Sequence, residues 1–294
     1  MLFIELMKSS CDWWSSFANF ASWEAAKGFA NSVFVTSLIG ALAGAFAGAV
    51  AAQRTADRSK QREELLREIR NTNAAIAVAY VICNALLGLK KQHVKDLKER
   101  FDTQNAARLE FMLKRKNGKI PSNAEFVFEA DLMSIQVPAT LPTDTLRALV
   151  FDRLSLVGRP LTLVMTVTHT VQSLNDSLAK RNNLIESYKS KFSDDNQGFI
   201  PLYFGLPYGD GHINLEYPGT IEAISSQTDD GIFFSNLLCK DLQEHGKYLS
   251  DAFKKKFKKG SSHVTEVNFA TDAASGLMPD EKKYADWVKA FEKA

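Results

Sequence analysis

Between Lys27 and Arg54 the chain carries no charged side chain, and Val33 to Ala52 reads VFVTSLIGALAGAFAGAVAA. Twenty helical residues at about 1.5 Å each span about 30 Å, the thickness of a bilayer's hydrocarbon core. The stretch is therefore expected to be a transmembrane helix. A cleaved signal peptide would want a short basic leader, whereas Glu5, Lys8, Asp12, Glu24 and Lys27 leave the first 52 residues slightly acidic. Eight Val, Leu, Ile or Phe side chains supply roughly −2 to −5 kcal/mol of insertion drive before glycine and alanine are counted. That drive is modest, so association with further helices would help the segment stay in lipid.

Gly40, Gly44 and Gly48 form a double GxxxG flanked by alanines of the same four-residue period. Small side chains in one row let helix backbones approach closely in lipid, and the expected consequence is a homo-oligomer. Arg54, Arg58, Lys60 and Arg62 follow the apolar run directly. The positive-inside rule then places the C-terminal part in the cytoplasm, and the membrane would be the inner, cytoplasmic one of a bacterium. Trp13, Trp14, Phe17, Phe20 and Trp23 precede the run among Ser, Ala and Asn. They are read, with Arg54 and Arg58, as membrane-interface residues.

Net charge averages to +2 over 294 residues, but residues 53 to 120 alone carry sixteen Lys/Arg against eight Asp/Glu. An excess of that size beside a membrane segment suits anionic lipid, and nucleic acid is not expected as a partner because residues 121 to 294 are net acidic. Cys11, Cys83 and Cys239 have no metal-type spacing, which fits burial or a reducing compartment.

The remainder predicts a mainly α fold: the transmembrane helix continues into a long-helix bundle with a small two-stranded ribbon. The expected organisation is an aromatic segment over 1–31, a span over 32–53, a juxtamembrane helix over 54–117 and a helical domain over 118–294. Ala74 to Leu89 is apolar but short and basic at both ends, so it is read as a buried bundle helix rather than a second span. Gly118 and Pro121 end the long helix. Residues 124–130, AEFVFEA, alternate as a strand, and 263–270 supply its partner. Thr143 is expected to cap a short helix to Leu154. After Gly158 and Pro160 a second long helix is expected to Phe192, marked by a seven-residue row of Val157, Val164, Val171, Leu178 and Ile185, with Thr168, Asn175 and Asn182 in the neighbouring row. That pattern fits packing within one chain or between subunits. A third helix is predicted over 220–259 with a break at Gly231, and a terminal one after Pro279. His169 is read as a buried, hydrogen-bonded histidine.

Ser193 to Gly219 is expected to be a long loop. Tyr203, Phe204, Tyr208, Asp210, His212 and Tyr217 within it are candidates for a ligand or partner contact, the competing reading being a loop that caps the bundle. There is no GxSxG, P-loop, GxGxxG, HExxH or EF-hand pattern. No catalytic residue, cofactor or metal is assigned. The expected function is a non-enzymatic membrane-anchored sensor or effector whose helical domain receives a signal or protein partner, in the manner of a membrane-disrupting effector of antiphage defence. The alternatives are a membrane-tethered scaffold for an enzyme or nucleoprotein, and a hydrolase or nucleotide-binding domain using the 200–219 loop.

Overall fold

The computed structural model describes residues 33–136, 140–192, 198–258, 263–269 and 276–291. The chain is mainly helical with a two-stranded antiparallel ribbon, and its described residues divide into two units, one ending at residue 63 and the other beginning at 64. Helix α1 (Val33–Leu89) belongs to both, and a π-helical turn (Lys90–Val94) leads it into α2 (Lys95–Lys116). Then come α3 (Thr143–Arg153), α4 (Arg159–Lys191), α5 (Phe199–Phe204), the ribbon strands β1 (Pro207–Tyr208) and β2 (His212–Ile213), and α6 (Glu216–Phe257). A 3-10 turn (Glu281–Tyr284) and α7 (Ala285–Lys289) finish the described chain.

In the second unit the core lies among the distal half of α1, α4 and α6. Ala75, Ile76, Ala79, Ile82, Cys83 and Leu86 of α1 are fully buried, so the apolar stretch Ala74 to Leu89 is core helix. The heptad row of α4 is buried from Val164 to Ile185 and packs against α6, with α3 leaning on α4. Its first expected member, Val157, precedes the helix and is exposed. In α1 and α2 the buried positions Leu86, Leu89, Val94, Leu97 and Phe101 show a five-residue step from 89 to 94. The π turn absorbs that extra residue and keeps one face inward on both sides.

Several expectations are corrected. Helix α6 runs unbroken through Gly231, because a Cβ there would stand 2.7 Å from Leu86 Cδ1 and 3.7 Å from Thr170 Cγ2. The glycine lets α1 and α4 close on α6 rather than ending a helix. Thr143 opens α3 without a side-chain cap, since Pro142 occupies the capping position. His169 is exposed, not buried. The loop expected over 193–219 contains α5, the ribbon and the first turn of α6.

The ribbon is also not the predicted one. Residues 124–130 are extended and alternate in exposure, yet neither they nor 263–269 pair as strands. Helix side chains instead bind these backbones and that of residues 131–135, which continue the first segment. Gln104 Nε2 donates to Glu129 O, Arg181 reaches Asp131 O and Met133 O, and Asn182 brackets Ile135 through both its N–H (3.0 Å) and its carbonyl (2.7 Å). At the other segment Asn73 donates to His263 O (2.8 Å) and accepts from Thr265 N (2.9 Å). A buried backbone group needs a partner, and a side-chain amide or guanidinium serves as well as a strand. The C-terminal segment is pinned similarly: Lys90 Nζ bonds Asp229 (2.6 Å) and Leu277 O (2.7 Å), while the Tyr284 ring stacks on Phe233 at 3.8 Å.

Candidate functional site

In the first unit, residues 36 to 49 of α1 are exposed along their whole length, including Leu42 at 62% and Phe46 at 73%. Gly40, Gly44 and Gly48 stand four apart on this helix, and a Cβ at any of them would meet nothing within 4 Å. Single exposed apolar residues are ordinary, whereas an apolar helix open on every side calls for a non-aqueous or protein environment. Among the described residues the continuous helix over 36–116 is long and apolar enough to cross a membrane by length and composition, and half of its most apolar window is buried inside the fold. Arg54 lies on the same helix beyond the apolar run and is exposed, as is Arg58. Trp13, Trp14, Phe17, Phe20 and Trp23 lie outside the described residues.

In the second unit the loop candidates separate into two groups. Tyr203, Phe204 and Tyr217 are buried together, with the Tyr203 and Tyr217 rings 4.7 Å apart. Asp131 N donates to Tyr203 Oη at 3.2 Å, and Tyr217 Oη donates to Asp131 O at 3.1 Å. Fully buried Arg181 lies 6.0 Å from the Tyr217 ring and donates to Met133 O at 2.8 Å and Asp131 O at 3.2 Å. Burial raises the pKa of both Tyr203 and Tyr217, and burial together with Glu216 pushes neighbouring Tyr188 up to about 12. These phenols stay protonated at neutral pH, and Tyr203 and Tyr217 act as hydrogen-bonding struts. Tyr208, Asp210 and His212 sit apart on the exposed ribbon, whose tight turn places Gly209 and Gly211 at positive φ. Nearby Glu216 Oε1 faces Lys180 at 3.3 Å. Among the described residues no group of His, Cys, Asp and Glu could hold a metal ion.

The aromatic cluster continues outward into a groove of about 820 Å³. One wall is a face of α2, where Arg108, Phe111, Met112 and Arg115 recur at helical spacing; the other is formed by the extended segment around Phe126 and Phe128 and by Ile200 and Leu206. Phe126 packs 5.6 Å from Phe111, and Phe128 5.0 Å from Phe204. The Arg108 guanidinium lies 5.5 Å over the Phe204 ring and is held by Asn105 Oδ1 at 2.9 and 3.2 Å. Among the described residues it makes no ion pair. Burial accordingly lowers its pKa. Spacing along α2 and the alternation of Phe126 and Phe128 carried the signal for this groove, but nothing in the sequence joins the two segments.

Glu68, Ser155 and His245 also converge. Ser155 donates to Glu68 Oε1 through its amide (2.9 Å) and its hydroxyl, and His245 Nε2 lies 3.3 Å from the same oxygen. Both partners lean on the carboxylate, so the imidazole is not bonded to the hydroxyl and no activated nucleophile results. Burial alone would raise the Glu68 pKa; the Ser155 and His245 contacts prevail and hold it below the ordinary carboxylate range.

Comparison with protein-family models, with curated proteins and with solved structures gave no match.

Proposed function

We propose that this is a membrane-anchored oligomeric protein whose C-terminal helical unit receives a ligand or partner and thereby alters the packing of its apolar helices. The observation that carries the proposal is the exposed stretch 36–49, apolar on all sides and lined by Gly40, Gly44 and Gly48. In lipid such a helix satisfies its own backbone, and its glycine row offers a close-approach surface for copies of itself. The basic residues from Arg54 to Arg62 favour a cytoplasmic second unit. The output we favour is membrane disruption, as an effector in bacterial antiphage defence would produce.

Expression in a bacterium carrying a membrane-potential dye tests this reading. Triggered depolarisation that Gly44→Leu abolishes supports it; a parent chain released from membranes by carbonate at high pH, or one whose dye signal is the same as the Gly44→Leu variant's, refutes it. Orientation requires an introduced thiol at an exposed site such as Tyr248, since Cys83 and Cys239 are buried. Labelling of Tyr248→Cys from outside intact cells would overturn the cytoplasmic placement. A scaffold role is the second reading, supported by the exposed face of Leu109, Met112 and Leu113 on α2. It predicts a stoichiometric partner after mild detergent extraction.

A further inference from the structure

We propose that the groove between α2 and the Phe126–Phe128 segment binds a single-chain anionic amphiphile, a carboxylate on an acyl or aromatic tail. The carboxylate would sit on Arg108 and the tail against Phe111, Phe126 and Phe128. At about 820 Å³ the groove matches sites that take one drug-sized molecule, and its walls have the expected mix of many apolar side chains and few polar ones. A diacyl lipid would not fit such a volume.

The head group follows from charge. Arg108 is partly buried, stacked on Phe204 and oriented by Asn105, yet faces no carboxylate among the described residues. A guanidinium held in this way binds an oxyanion through fixed, charge-assisted hydrogen bonds. Arg115, at the far end of the wall, already donates to Ser122 O, and Glu125 lines the same rim. With both guanidiniums and the Glu125 carboxylate on its walls the groove carries a net single positive charge, which suits a monoanion rather than a phosphate dianion, and a neutral tail would leave Arg108 uncompensated. That the amphiphile is the received signal rests on the function proposed above; its binding does not.

The test is photolabelling of the full chain in lipid nanodiscs with a palmitic acid carrying a diazirine in its chain, mapped by mass spectrometry of the peptides. Adducts are expected in 108–115 and 126–132, displaced by palmitate and not by hexadecanol. Arg108→Gln should cut labelling about tenfold at sub-saturating probe, the effect of losing one charge-assisted hydrogen bond. Met112 is half exposed on the groove wall, so Met112→Trp fills the groove without disturbing the core and should abolish labelling even if Arg108→Gln proves unstable. Adducts confined to the apolar helix, equal competition by hexadecanol, or unchanged labelling of Met112→Trp would overturn the assignment. Labelling at the groove with no effect on membrane potential would retain the site and remove only its proposed role.

Discussion

Replacing Arg181 with methionine keeps an unbranched apolar stem at a fully buried position but removes the guanidinium that holds the extended segment against α4. Arg181 donates to Met133 O at 2.8 Å and Asp131 O at 3.2 Å and lies 3.5 Å from Asp131 Oδ1. Hydrogen bonds from a charged donor contribute about 1.5 to 3 kcal/mol each, for a gross loss of about 3 to 6 kcal/mol. Part returns because a charge no longer has to be buried, and removing one partner of a buried pair has a net cost of about 3 to 5 kcal/mol. A loss of about 3 kcal/mol corresponds to roughly 150-fold easier opening of the segment. Hydrogen exchange reads this at the amides of Asp131 and Ile135, which donate to Tyr203 Oη and Asn182 Oδ1. Their exchange should accelerate by about two orders of magnitude while the buried stretches of α4 and α6 keep their protection. Arg181→Lys should restore little, because one ammonium cannot span both carbonyls as the planar fork does. If both amides stay within threefold of the parent, the claim that side chains take the place of a strand partner here is refuted.

Gly231→Leu should destabilise the second unit by about 1 to 3 kcal/mol or more through overpacking against Leu86, and adding Leu86→Ala should recover part of that in chemical denaturation. Deleting exposed Gln92 from the π turn should be tolerated better than deleting exposed Ala106 from α2. The first deletion converts π to α geometry and preserves the inward face, whereas the second rotates everything after it by about 100°; thermal unfolding compares the two. Glu68 has a lowered pKa in the folded chain, so its contribution to stability is complete above the ordinary carboxylate value of 4.5 and is lost as pH falls below it. Glu68→Gln should therefore flatten the fall of denaturation midpoint between about pH 5 and 3, and an unchanged slope would dismiss the Ser155 and His245 contacts as its cause.

The long helices were legible from spacing, whereas short α5 was not. The α4 row from Val164 to Ile185, the buried stretch of α1 and the charge-free run at Val33–Ala52 are local patterns, each set by 3.6-residue periodicity or by the absence of charge. What these patterns lack is any statement of partners. The segments 124–130 and 263–270 each have strand alternation, but whether a strand or a helix side chain takes their backbone, or that of 131–135 just beyond the first, depends on Gln104, Arg181, Asn182 and Asn73, remote in sequence and brought near only by folding. Gly231 looks like a break until Leu86 and Thr170 arrive beside it. In the same way Tyr203 and Tyr217 turn inward while Tyr208, chemically identical, stays on the exposed ribbon. The groove at Arg108 exists because α2, the Phe126–Phe128 segment and α5 are assembled around one aromatic cluster. Local periodicity decided which residues could be helix and which faces were apolar. Long-range packing decided which polar groups were satisfied from within the chain and left the Arg108 guanidinium over an aromatic groove with no ion-pair partner among the described residues.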